Sequence, residues 1–227
     1  TYLAAISKEP SKISIYSRNG SSWYPRGSIA DLSLSNDSIV KINNYGDKLL
    51  VTNPNYHDNN GFLCIYTYNG DSNPWDEKKD IFGSNGDFLG KSVSINKDFT
   101  ILGIGSPGYD NNKGKFEVYK INYDYPFSAD KIGNTIYGTN SGSNFGISSS
   151  IDNDGIIISV GEYNENQDIG KIHIYERNTF DNNFKKICEN IEQYIVNDYK
   201  GCEIKIINNE NSISIFTRLN NQMIKKF

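Results

Sequence analysis

Long hydrophobic runs are missing from this chain. No uninterrupted apolar stretch exceeds a few residues, so none is long enough to cross a bilayer as a helix, and membrane insertion is not expected. Histidine occurs only as His57 and His173, and cysteine only as Cys64, Cys188 and Cys202. No two cysteines form a CxxC pair, which leaves a structural zinc site without a ligand set, so no metal site is expected. Three thiols cannot all pair; a Cys188–Cys202 bridge is one alternative and free thiols are the other. Basic clusters are scarce too. With 23 Lys and Arg against 27 Asp and Glu, a formal net charge of −4 and no basic run larger than Lys185-Lys186 or Lys225-Lys226, nucleic acid is not an expected partner. Nucleophilic catalysis of the triad kind needs a histidine fixed between partners, and His57 falls in a variable His-Asp-Asn-Asn loop. Paired-carboxylate chemistry stays open, because its partners would come from separate segments.

What the chain has in quantity is tyrosine, 16 residues, and glycine, 20, in a chain of 227 residues that is 37% hydrophobic, enough to bury the core of one all-β domain. Glycine and tyrosine recur in order. The stretch Phe88 to Tyr119 returns almost position by position, with Gly90 on Gly146, Asp98 on Asp154, Gly105 on Gly161, Gly114 on Gly170 and Tyr119 on Tyr175, a constant offset of 56. Repetition near this period marks a solenoid, a propeller or an array.

Inside the repeat the apolar runs are short and bounded by Asn, Asp, Gly or Pro, as in Ser92 to Ile95, Thr100 to Ile104 and Lys115 to Ile121. Tight links such as Asn96-Lys97-Asp98 and Asp152-Asn153-Asp154-Gly155 suit hairpin tips. The third strand alternates cleanly: Ile13 and Ile15, Leu63 and Ile65, Phe116 and Val118, Ile172 and Ile174 share one face, while Tyr16, Tyr66, Tyr119 and Tyr175 end the other. Two apolar faces require sheets covered on both sides, as blades around an axis are. Trp23, Trp75, Phe127 and Phe184 follow as anchors of a fourth, outer strand. Ser92, Ser94, Ser148 and Ser150 in the first strand, with Gly103, Gly105 and Gly161 beside them, fit inner strands that crowd; serines facing solvent are the alternative.

The expected fold is therefore all-β, a β-propeller of four-stranded antiparallel blades in one domain, 1–227. Its units run approximately 1–36, 37–87, 88–143, 144–190 and 191–227, a complete five-bladed ring or part of a larger one. The last unit is degenerate, with a bare Asn208-Asn209-Glu210-Asn211 hairpin, as terminal repeats often are. The first unit supplies three strands, so one is expected ahead of Thr1. Because the chain opens inside a strand pattern, Tyr2 to Ile6, on a residue other than methionine, a signal sequence, propeptide or further domain is also expected there.

The repeat resembles the FG-GAP repeat, the blade unit of integrin α-subunit propellers. Phe145-Gly146 is a literal FG and Phe88-Leu89-Gly90 a one-residue variant of it; Gly105-Ser106-Pro107 stands for GAP, with Thr52-Asn53-Pro54 and Gly161-Glu162-Tyr163 as weaker versions. About half the chain carries the motifs. The resemblance implies a calcium loop between first and second strands, but Ile151-Asp152-Asn153-Asp154-Gly155-Ile156 is shorter than that loop and lacks its closing acid. An ordinary turn is the expectation there and calcium is disfavoured; no cofactor is expected. The Asp-box of sialidase propellers is not met, since Asp154 follows Ser150-Ile151-Asp152-Asn153 where the box has Gly, and WD and kelch signatures are absent.

What the resemblance implies is a non-enzymatic module for surface binding, adhesion or assembly, at an extracellular, cell-surface or virion-associated location, with protein partners or neighbouring subunits. The alternatives are a lectin-like glycan binder and the propeller portion of a larger secreted or virion-associated enzyme. The candidate ligand-binding residues lie on the loops from second to third strand: Tyr56, His57 and Asp58; Tyr109 and Asp110; Tyr163 and Glu165. Tyr56 and Tyr109 are register-equivalent, so a ring of exposed tyrosines flanked by acids is expected, with tyrosines folded down onto the loop as the alternative.

Overall fold

Period-two alternation broken every few residues by Asn, Asp or Gly can pack only as short antiparallel strands. A computed structural model describes residues 1–30, 32–70, 74–164, 169–187, 191–194, 204–209, 212–219 and 222–223. The chain divides into two units, Thr1–Gly90 and Lys91–Phe227.

The first unit holds two sheets. β1 (Tyr2–Lys8), β2 (Ser11–Asn19) and β3 (Ser22–Ala30) pair in chain order, as do β4 (Ile39–Ile42), β5 (Lys48–Asn53), β6 (Phe62–Tyr68) and β7 (Trp75–Phe82). A single turn, α1 (Tyr56–Asn59), joins β5 to β6. Ile13 and Ile15 of β2 are fully buried in one cluster with Leu49, Val51, Phe62, Cys64, Tyr66 and Trp75, which is the two-faced packing that the alternation called for.

The second unit repeats the plan. β8 (Ser92–Ile95), β9 (Ile101–Ser106), α2 (Tyr109–Asn112), β10 (Lys115–Asn122) and β11 (Ser128–Tyr137) form one four-stranded sheet with its joining turn. β12 (Ser148–Ile151), β13 (Ile157–Asn164) and β14 (Ile169–Arg177) continue into an outer strand in two pieces, β15 (Phe184–Lys186) and β16 (Ile191–Tyr194), both paired with β14. The strands of this sheet thus reach 194, past the expected end at 190. β17 (Ile204–Asn209), β18 (Ser212–Leu219) and β19 (Gln222–Met223) make a last three-stranded sheet. The Glu210-Asn211 tip of its hairpin, and Cys188 and Cys202, paired or free, lie outside the described residues.

Phe145 and Phe116, both essentially inaccessible, centre the core of the second unit with Val118, Ile158 and Val160. Each such ring contributes roughly 1.5–3 kcal/mol by leaving water. Gly146 follows Phe145 at φ +88°, and a side chain there would meet the Lys115 carbonyl oxygen at 2.6 Å. Its own carbonyl accepts a 2.8 Å hydrogen bond from the Ser92 hydroxyl. In the other FG-like segment Leu89, not Phe88, holds the place of Phe145: Leu89 bridges Gly61 just as Phe145 bridges Gly114, and Phe88 takes the positive φ of Asn144. The inner-strand serines are of the crowded kind, with Ser92 and Ser94 buried and Ser148 and Ser150 half-buried.

The first hairpin of each repeat is tied by one side chain. Asn43 accepts from the backbone N–H groups of Asp47 and Lys48, Asn96 from those of Thr100 and Ile101, and Asp152 from those of Ile156 and Ile157, at 2.8–3.1 Å. These side chains do the satisfying that a buried turn demands.

Candidate functional site

The α1 and α2 turns wind left-handed. His57, Asp58 and Asn59 have φ of 44°, 55° and 65°, and Asp110, Asn111 and Asn112 have 49°, 57° and 59°. This conformation costs about 1–2 kcal/mol per residue for L-amino acids and is least unfavourable for Asn and Asp, which is why both loops are built from them. Main-chain bonds hold the turn in both copies. The carbonyls of Asn59 and Asn60 accept from Phe88 and Leu89 at 2.7 and 3.1 Å, and those of Asn112 and Lys113 accept from Asn144 and Phe145 at 2.7 and 3.3 Å. The turn is thereby latched to the segment that leads into the next sheet.

The turn also fixes where the tyrosines go, and here the exposed ring of tyrosines gives way. Tyr56 is half-buried, edge-on to Phe62 at 4.9 Å and to His57 at 4.3 Å, and tilted against Phe82 at 6.1 Å. Tyr109 is half-buried and tilted against Tyr137 at 5.7 Å, with the Lys115 ammonium 4.7 Å from its ring. Both rings lie down because an aromatic at the end of the outer strand gives each a surface to cover. Phe82 and Tyr137 themselves are 59% and 51% exposed. Sequence reasoning missed these two; their signal was an aromatic followed by glycine, Phe82-Gly83 and Tyr137-Gly138, closing each outer strand.

His57, Asp58 and Asp110 are exposed beside these pairs. Tyr163 is half-buried in β13, donating its N–H to the Ser143 carbonyl at 2.8 Å. Glu165 lies outside the described residues. The arrangement is a tilted aromatic pair with charged residues beside it, a surface suited to contact.

Two polar clusters sit inside the sheets instead. Glu162 and His173, diagonal neighbours on β13 and β14, are 2.7 Å apart, with side chains only 7–8% exposed. Cys64 and Asp80 are 2.6 Å apart, and the Tyr66 hydroxyl donates to Glu77 at 2.9 Å. Glu77 and Asp80 are three apart, a spacing that normally puts side chains on opposite faces. A bulge opposite Ile65 and Tyr66 brings both carboxylates beside Cys64, within 4.8 Å of its sulfur and of each other. Among the described residues, Cys64, Glu77 and Asp80 form a group whose ligand atoms could hold a cation. Burial, the hydrogen bond to Asp80 and the charges of Asp80 and Glu77 push the Cys64 thiol above its usual range, so the group stands as a network of protonated donors on carboxylates.

Among solved structures the chain is similar to Hsv2 from Kluyveromyces lactis, with a TM-score of 0.53 and 14% identity over 95% of this chain and 68% of that one. Hsv2 from Kluyvelomyces marxianus is similar at a TM-score of 0.50 and 13% identity, over 95% of this chain and 67% of that one. The fold is a β-propeller. At these identities the likeness carries the fold alone. No protein-family model and no curated protein matches the chain. Its four-stranded sheets are propeller blades, and the aromatic pairs stand at the same loop end of the blades formed by β4–β7 and β8–β11.

Proposed function

We propose that this propeller is a non-enzymatic binding module that takes a protein partner on its loop ends, in adhesion or assembly at a cell or virion surface. The observation that carries this reading is the pair Tyr56–Phe82 and its repeat Tyr109–Tyr137, which present half-exposed aromatic surface with near-identical tilts of 36° and 37°. Aromatic surface rimmed by charge is what protein interfaces use as anchors. The acid–base juxtaposition at Glu162–His173 is buried within a blade, which supports binding over catalysis. The FG-GAP resemblance supports the surface location.

The test is cross-linking and mass spectrometry on the native source, comparing the unaltered protein with a Phe82→Ser, Tyr137→Ser variant of unchanged circular dichroism. A protein cross-linked to the first and lost from the second supports the reading; one retained equally by both removes the loop ends from it. A glycan binder is the second reading, because an aromatic pair with acids nearby recurs at one place in two blades. On a glycan array it predicts a saccharide signal that Tyr137→Ser abolishes.

A further inference from the structure

In the three blades from β4 to β16, one position of the third strand carries a polar residue, and the register shows the three to be equivalent. Cys64 lies opposite Val51, Glu117 opposite Ile104 and His173 opposite Val160. In two of these blades a basic side chain and a carboxylate meet there. The Lys115 ammonium is 3.5 Å from the Glu117 carboxylate, and the His173 ring is 2.7 Å from Glu162.

The β4–β7 blade departs from this pairing. Asp80 is directly opposite Cys64 and, because of the bulge, Glu77 is directly opposite Tyr66; without the extra residue Tyr66 would face Lys78. Two carboxylates thus stand where the other blades have a carboxylate and a base. Among the described residues neither has a basic side chain in salt-bridge range: Asp80 accepts from the Cys64 thiol and Glu77 from the Tyr66 hydroxyl. Charge of one sign gathered against a buried wall is relieved by a bound cation.

The donor atoms have the reach for one. They lie within 4.8 Å of one another, and Cys64 Sγ is 2.6 Å from Asp80 Oδ1. Tetrahedral zinc, with bonds of about 2.3 Å to sulfur and about 2.0 Å to oxygen, sets its ligands roughly 3.3–3.5 Å apart, between those two limits. Cys64 and Tyr66 are buried behind the group, while Glu77 is exposed and leaves an entry path from solvent.

We propose that Cys64, Glu77 and Asp80 bind a thiophilic divalent cation of the Zn²⁺ or Cd²⁺ class, with water completing the coordination. The ion takes the place of the thiol proton: the Cys64 S–H bond breaks, a sulfur–metal bond forms, and the proton leaves to solvent. The Tyr66 hydroxyl keeps its hydrogen bond to Glu77 and orients that carboxylate, as outer partners of metal ligands do. The ion thereby ties β6 to β7 across the bulge, independently of any partner at the loop ends. The lack of a CxxC pair hid this set, because its carboxylates come from the neighbouring strand.

The experiment titrates CdCl₂ into the chelator-treated full chain carrying Cys188→Ser and Cys202→Ser, which leaves Cys64 as its one thiol, and follows the ultraviolet charge-transfer absorption of a thiolate–cadmium bond. The expected band saturates at one equivalent, is absent from Cys64→Ser, and needs at least about tenfold more cadmium in Glu77→Gln and in Asp80→Asn. No band, a band that survives Cys64→Ser, or one undiminished in either carboxylate variant overturns the proposal. Should the double-serine chain fail to fold, the unaltered chain is read against its own Cys64→Ser variant: loss of one equivalent supports the site, and no loss overturns it.

Discussion

The Nε2 atom of His173 lies 2.7 Å from a carboxylate oxygen of Glu162, with both side chains buried in the blade built on β12–β14. Burial alone would raise the Glu162 pKa. The hydrogen bond and charge of His173, the Ser143 hydroxyl and the charge of Lys171 outweigh it and hold the carboxyl below its ordinary 4.5. A depressed folded pKa stabilises the fold above the unfolded value, and the contribution is lost as pH falls through the folded one. Glu162→Gln should therefore cost about 3–5 kcal/mol near neutrality, as breaking a buried pair does. In urea titrations the gap to the unaltered protein should be constant above the ordinary 4.5 and narrow as pH falls below it; a gap that stays constant there would show that the charge contributes nothing.

Cys64 should behave as an inert thiol. Burial, the Asp80 hydrogen bond and the charges of Asp80 and Glu77 all disfavour the thiolate, and only the thiolate reacts. Mass mapping after iodoacetamide treatment should find the Cys64 peptide labelled at least about a hundredfold more slowly in the folded chain than in urea, and faster in Asp80→Asn. Equal labelling in folded and unfolded protein would contradict the packing described for β6 and β7.

Two glycines with positive φ should respond differently to alanine. At Gly146 the new methyl would meet the Lys115 carbonyl oxygen at 2.6 Å, whereas at Gly20, φ +59°, nothing lies within 4 Å. Gly20→Ala should cost about 1 kcal/mol from backbone strain alone, and Gly146→Ala clearly more. Denaturant midpoints giving equal losses would mean that the close approach at Gly146 relaxes freely.

Removing a hairpin tie should be felt at the inner strands. Asp152→Ala leaves the backbone N–H groups of Ile156 and Ile157 without their acceptor and should cost about 1–3 kcal/mol, whereas Asp152→Asn, which copies Asn43 and Asn96, should retain most of the stability. Thermal unfolding distinguishes the two; parity between Ala and Asn would mean that the tie is idle.

The blades were readable in the sequence because the same backbone demands recur. Gly61 and Gly114 both face an incoming carbonyl, of Leu89 and of Phe145, and the chain marks both with the same residue. What could not be read depended on register or on distant strands. Glu77 joins Cys64 only through a bulge that breaks the period of two, and Glu162 meets His173 only as a diagonal pair across two strands. The pose of Tyr56 was hidden for a similar reason: Phe82, which it covers, lies two strands further on.

The hydrogen bonds that clasp the α1 and α2 turns to the segments 88–89 and 144–145 are made by main-chain atoms. His57 and Asp110 occupy the same seat, yet one is an imidazole and the other a carboxylate. Grip and display are thus separate duties in these loops. Descendants of this protein could swap the displayed group, blade by blade, and inherit the clasp unchanged.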